Sequence, residues 1–352
     1  MNTLLILLIL MASQESSGFP YPEFAMECYP KMAMPGDTVY FVVTAKNSHA
    51  KSIYIADHFW HLSSDIQVHL RDSDNQNHPL LFEAQTSVIR DRILEYTVIQ
   101  PGMSRIIGAL SINIPALEDI REPFWEKHLK DLSADGREFR LRATVISYSA
   151  TNRLGDTPEH ERLPISLEIP ITIKPRPENE MAMIEDWHNN TPKELFPAPA
   201  GNNSVRKVPR EGIVPKSEVI RVQNAKYSHW HFIRLGNRYP ADPNAPETWQ
   251  GWKELEESIT PSTMRDEIRL TRILIQYCDT EDAKVLTELK EWFAGMNEVQ
   301  RTVMAKNVCD LAWGAHGTKL YEPYKKIYTT VKEYDIAPKP DHLKKSLEDA
   351  GF

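Results

Sequence analysis

Three cysteines in 352 residues, at positions 28, 278 and 309, are too few and too scattered for a disulfide framework. No block of lysine and arginine suited to tracking a phosphate backbone is present, and 49 acidic residues outweigh 41 basic ones for a net charge of −8. That balance argues against nucleic acid as a partner. No apolar run reaches the ~20 residues that a membrane-crossing helix needs, so no membrane span is expected in the mature chain. The sequence also lacks a Gly-x-Ser-x-Gly elbow, a phosphate-binding glycine loop, a His-Glu-x-x-His helix and a Cys-x-x-Cys pair. Without these there is no catalytic residue to assign and no cofactor to expect.

The longest apolar run present covers residues 4–12 and is followed by the small and polar stretch 13–18. Its length fits the hydrophobic region of a secretory signal peptide. Residues 1–18 are therefore expected to be a signal peptide, and the protein to be secreted, periplasmic or held in the cell envelope. Cys28 lies too far from the run to serve as a lipoprotein cysteine.

Between residues 24 and 175 apolar side chains recur at every second position. Ile66, Val68 and Leu70 alternate with polar neighbours, as do Leu110, Ile112 and Ile114, then Phe139, Leu141, Ala143 and Val145, and finally Ile165 to Ile173 in steps of two. A strand sends successive side chains to opposite faces, so this pattern predicts half-buried antiparallel strands, about eight in number. Pro170 cannot donate to a strand ladder, which predicts an edge position for the last strand. The turn Pro35-Gly36-Asp37 feeding Val39, the approach Gly136-Arg137-Glu138 to Phe139, and the closing Ile171-Thr172-Ile173 together resemble an immunoglobulin-like domain. The resemblance implies an antiparallel all-β sandwich, here without its paired cysteines. A helical insertion is expected near 121–132, where Phe124, His128, Leu129 and Leu132 fall at helical spacing.

Prolines at 177, 192, 197, 199, 209 and 215 make residues 176–216 an expected linker. Asn189-Asn190-Thr191 and Asn202-Asn203-Ser204 within it match the N-glycosylation pattern. Residues 217–352 then form a mainly helical domain. Thr260 before Pro261, Asp279, and Asn297 with Gln300 read as helix starts, and short connections predict a small antiparallel bundle.

Two groups of side chains stand out in this second half. Trp230, Arg234, Arg238, Tyr239, Trp249 and Trp252 gather aromatic rings and guanidinium groups within a short stretch. Rings beside charged hydrogen-bonders form a candidate ligand surface, while the same rings would serve equally as packing. His229 and His231 flank Trp230, and His-x-His on a strand puts both imidazoles on one face, half of a metal site. His58 and His61, in Asp57-His58-Phe59-Trp60-His61, are a second histidine group considered for metal binding. The reading that best fits these features is an exported, non-catalytic binding or structural protein. Its expected partner is an envelope or extracellular protein or polysaccharide. The alternative is an exported enzyme, or an accessory module of one, with a site between the two halves.

Overall fold

The computed structural model describes residues 22–56, 66–79, 96–114, 116, 128–145, 150–151, 165–190, 249–314, 320–336, 348–349 and 351. Strands occupy the N-terminal half: β1 Glu23–Tyr29, β2 Met32–Ala33, β3 Thr38–Lys46, β4 Ile53–Ala56, β5 Ile66–Arg71, β6 Asn77–Pro79, β7 Tyr96–Ile99, β8 Ser104–Asn113, β9 Arg137–Val145, β10 Ala150–Thr151 and β11 Ile165–Ile173. They make three sheets, ordered β1-β3-β8, β10-β4-β7 and β2-β11-β9-β5-β6.

The period-two alternation becomes burial. Val68, Leu70, Phe139, Leu141, Ala143, Ile169 and Ile171 turn inward from the five-stranded sheet and meet Val39, Phe41, Val43, Leu110 and Ile112 of the β1-β3-β8 sheet. Ile53 and Ile99 of the third sheet join the same core. Each fully buried Val, Leu, Ile or Phe among them contributes roughly 1.5–3 kcal/mol on burial. Gly136 leads the chain into β9 with φ at +81°, and a Cβ there would lie 2.6 Å from the Ile173 carbonyl oxygen. Only glycine fits that backbone without strain.

Two expectations about the sheets are corrected. The five-stranded sheet is mixed, not purely antiparallel, because β2 runs parallel to β11 at Met32 and Ala33. For the same reason β11 is not an edge strand. Pro170 is nonetheless accommodated: Thr172 and Lys174 donate toward β2, to the carbonyls of Lys31 and Ala33, so alternate residues point their N–H groups that way. Position 170 points to the same side, but β2 ends before reaching it. The local edge, rather than the strand's place in the sheet, satisfies the rule for proline.

The helices are α1 Glu178–Asn190, α2 Trp249–Ser258, α3 Thr263–Thr280, α4 Ala283–Gly295, α5 Glu298–Gly314 and α6 Tyr321–Val331. A short 3-10 turn, Lys332–Tyr334, follows α6. Helix α1 falls inside the expected linker; residues 191–216 lie outside the described residues, as do residues 1–18, where a signal peptide is expected. Of the expected helical insertion, only 128–132 is described; His128 and Leu129 form a buried helical turn there. Caps differ from expectation as well. Ser262, not Thr260, caps α3 through Arg265 N, and Asp282, not Asp279, caps α4 through Lys284 N. Asn297 does cap α5, accepting from Val299 N at 3.0 Å, but Gln300 reaches away to Asp266 instead of closing a capping box.

Helices and sheet share a second core. Tyr40, Val42 and Ala109 project from the outer side of the β1-β3-β8 sheet into Leu270, Ile273, Val303, Val308 and Ile327. Strand β3 is therefore buried on both faces from Thr38 to Val43. The described architecture is three layers: the five-stranded sheet, the β1-β3-β8 sheet, and the helices.

Candidate functional site

With the β1-β3-β8 sheet covered on both sides, the five-stranded sheet keeps an outer face that carries polar side chains. Strand pleating puts them there: inward Leu141 and Ala143 force Arg140, Arg142 and Thr144 outward on β9. Inward Val68 and Leu70 do the same for His69 and Arg71 on β5. On β11, inward Ile169 leaves Ser166, Glu168 and Pro170 outside. Register aligns these into rows. His69, Arg142 and Glu168 lie side by side across three strands, as do Arg71, Arg140 and Pro170, and Gln67, Thr144 and Ser166.

Glu168 sits at the centre. Arg71 Nη1 is 3.0 Å from it, Arg140 Nη1 3.5 Å and Arg142 Nε 3.7 Å. Arg142 Nη2 also donates to Ser166 Oγ at 3.0 Å, and Ser166 lies 3.1 Å from the Thr144 hydroxyl. Three guanidinium groups thus share one carboxylate. Glu138 lies one pleat further along β9, opposite Thr172. Among the described residues, the Nε atoms of Arg71 and Arg142 and Nδ1 of His69 have no hydrogen-bond partner. Burial, then the charge of Arg142, pushes the His69 imidazole below its ordinary value, so it is neutral near pH 7.

The cluster's contribution to stability is mixed: Arg142 directly faces Glu168 across β9 and β11, an opposite-charge pair worth roughly 0.2–1 kcal/mol. Like charges directly opposite on neighbouring strands are destabilising, and Arg71 faces Arg140 in that relation. Surface ion pairs return only about 0–1 kcal/mol. The side chains together favour an anion resting on the sheet face.

The junction between sheet and helices is closed differently. Arg176 is buried, with Nη2 2.6 Å from Asp37, Nη1 2.6 Å from Glu180 and Nε donating to the Pro35 carbonyl at 2.5 Å. Asp37 also accepts from the backbone amides of Met34 and Met264, at 2.8 and 3.2 Å. Glu180 accepts from the amide and hydroxyl of Thr260 at 2.7 and 2.5 Å. Burial alone would raise the Glu180 carboxyl, but the two Thr260 bonds and Arg176 outweigh it and hold it below the usual range. One arginine therefore ties the turn before β3 to α1 and, through its carboxylate partners, to the residues leading into α3. A second arginine, Arg272 of α3, joins Glu256 of α2 at 2.8 Å and Glu288 of α4.

Of the residues singled out by sequence, Trp249 and Trp252 are described. Trp252 is wholly buried with Ile184, Leu255 and Ile268, and Trp249 is partly buried against the same group. An indole enclosed in this way offers no ring face to a ligand, so Trp252 serves as packing. Trp230, Arg234, Arg238 and Tyr239, together with His229, His231, His58 and His61, lie outside the described residues. Among the described residues no cluster of three His, Cys, Asp or Glu side chains is arranged to hold a metal ion. No described helix is long and apolar enough to cross a membrane. Sequence reasoning missed the arginine cluster because its members meet only through register: Arg71 and Glu168 are 97 positions apart. The one local signal was Arg140-Leu141-Arg142, which placed two guanidinium groups on the wet face of one strand.

No family model matches the chain, and no curated protein matches it in sequence. Solved structures give partial likenesses. The sporulation control protein Spo0M from Bacillus subtilis is 15% identical with a TM-score of 0.22, covering 49% of this chain and 56% of that one. A CARDB domain from Pyrococcus furiosus, solved with two metal ions, is 11% identical with a TM-score of 0.20, covering 44% of this chain and 90% of that domain. A β-glucosidase from Erythrobacter marinus is 11% identical with a TM-score of 0.18, covering 43% of this chain and 15% of that enzyme. The chain thus spans little more than half the length of Spo0M.

Proposed function

We propose that this is an exported, non-catalytic binding protein whose immunoglobulin-like β half presents the outer face of its five-stranded sheet to an anionic partner in the envelope or extracellular space. The observation that carries the reading is the gathering of Arg71, Arg140 and Arg142 around the single carboxylate of Glu168. A face with more guanidinium than carboxylate, on a chain of net charge −8, is a local reversal of sign. Such a reversal draws anions and steers their approach. The alternative of an enzyme with a site between the halves has less support. Where that junction is described it is filled by apolar side chains and by the Arg176 network, whose charges are already partnered. Hydrogen exchange with and without an added anionic polymer tests the proposal. Slowed exchange is expected in β9 and in β11 around Ser166 and Glu168, with the helices unaffected. Slowing confined to the helices would overturn it.

A further inference from the structure

The proposed anion-binding face already holds an anion of its own, and its chemistry narrows what the outside ligand is. Resting on that reading of the face, we infer that Glu168 is a resident stand-in for the ligand's carboxylate, and that the ligand is a carboxylated polysaccharide which displaces it. Three features of the site lead there. The group that Arg71, Arg140 and Arg142 converge on is a planar carboxylate, at 3.0, 3.5 and 3.7 Å. Only Arg71 is within hydrogen-bonding distance of it, so two of the three guanidinium groups hold it by charge alone. An incoming carboxylate that pairs with Arg140 and Arg142 bidentately would gain what Glu168 does not supply.

The neighbours of the cluster favour a sugar chain over a peptide. Arg142 and the hydroxyls of Ser166 and Thr144 form a linked row beside Glu168, suited to exchanging hydrogen bonds with sugar hydroxyls. Among the described residues, Pro170 is the single apolar side chain in the three rows, so the rows themselves carry little to anchor a peptide. Rows of side chains aligned across neighbouring strands also present charge along a line, as an extended polymer does. Arg140 is 62% exposed while Arg71 and Arg142 are 28% and 27% exposed, so Arg140 offers the first contact. Displacing Glu168 costs little, since exposed ion pairs are worth about 0–1 kcal/mol each.

Affinity measurements with polygalacturonate, polyphosphate and polyglutamate as probes test this, using the full chain, Glu168→Gln, and Arg140→Ser with Arg142→Ser. Removing the resident carboxylate is expected to tighten polygalacturonate binding about three- to tenfold. Glu168→Ala should move the same way, which guards against an effect of the glutamine alone. Polygalacturonate is expected to bind more tightly than either other probe. Unchanged or weaker binding by both Glu168 variants would overturn the stand-in role while leaving the anionic face intact. Tighter binding of polyglutamate or polyphosphate would overturn the sugar class. Failure of all three probes to bind the unaltered chain would overturn the face itself.

Discussion

Tyr40 on β3 donates its phenolic hydroxyl to Glu267 of α3 at 2.7 Å, a buried bond between residues 227 positions apart. It lies at the centre of a face where the sheet and helices share one apolar core. Cooperative unfolding follows from that sharing. Urea melts followed by sheet-sensitive and tryptophan signals should coincide in one transition, as for a single structural unit. Tyr40→Phe should cost ~1–3 kcal/mol, because it takes that donor from a buried Glu267 oxygen. Two separated transitions would show that the halves fold independently.

Asp37 and Arg176 form the second tie. Replacing Asp37 with Ala leaves a buried guanidinium with Glu180 as its remaining carboxylate partner and strips the Met264 amide of its acceptor. Loss of one partner from a buried pair costs ~3–5 kcal/mol, read as a shift of the denaturation midpoint. A change below 1 kcal/mol would mean that water enters the junction.

Much of this fold was legible and part of it was not, for physical reasons. Alternation is a local property, so the strands carrying Val68, Leu141 and Ile169 were placed correctly by period alone. The run Val39-Tyr40-Phe41-Val42-Val43 is different. It is apolar at every position, the pattern of a strand buried on both faces, and it carried the signal that a further layer covers β3. Prolines at 175 and 177 masked α1, although Glu178 and Glu180 after Pro177 are an acidic helix start. The candidate site was least visible. Pleating fixes which face each arginine takes, but pairing β5 with β9 and β9 with β11 is a long-range choice that single segments do not encode.

Glu180 sets a pH dependence. Its carboxyl is held below the ordinary 4.5, so its contribution is present in full above that value and lost as pH falls through the lower folded value. The stability difference between the unaltered chain and Glu180→Gln should therefore be largest near neutrality and shrink in the acid limb below about pH 4.5. A difference independent of pH would contradict this.

Trp252 gives a packing test. Trp252→Ala opens a void beside Ile184 and Ile268 and should cost ~3–5 kcal/mol with ligand affinity otherwise unaffected. An unchanged melting temperature would return the indole to the list of binding candidates.

His69 makes binding pH-dependent in the opposite sense to Glu180. Its imidazole, held below 6.5 by burial and by Arg142, faces Arg142 and Pro79 on the neighbouring strands and lies beside Arg71 on its own. A bound anion favours the protonated ring, so affinity should rise as pH falls from 7 to 5, while ligand carboxylates remain charged above ~4. His69→Gln should flatten that rise.

The most direct test of the sheet face is the salt dependence of polygalacturonate affinity in the unaltered chain and in the Arg140→Ser, Arg142→Ser double variant. Both arginines are surface ion-pair partners, so the melting temperature should change little. Affinity should fall at least about tenfold, and its decline with added salt should become shallower, since fewer charges remain to be screened. Equal affinity and equal salt dependence in the two proteins, with both folded, would contradict the assignment of this face as the binding surface.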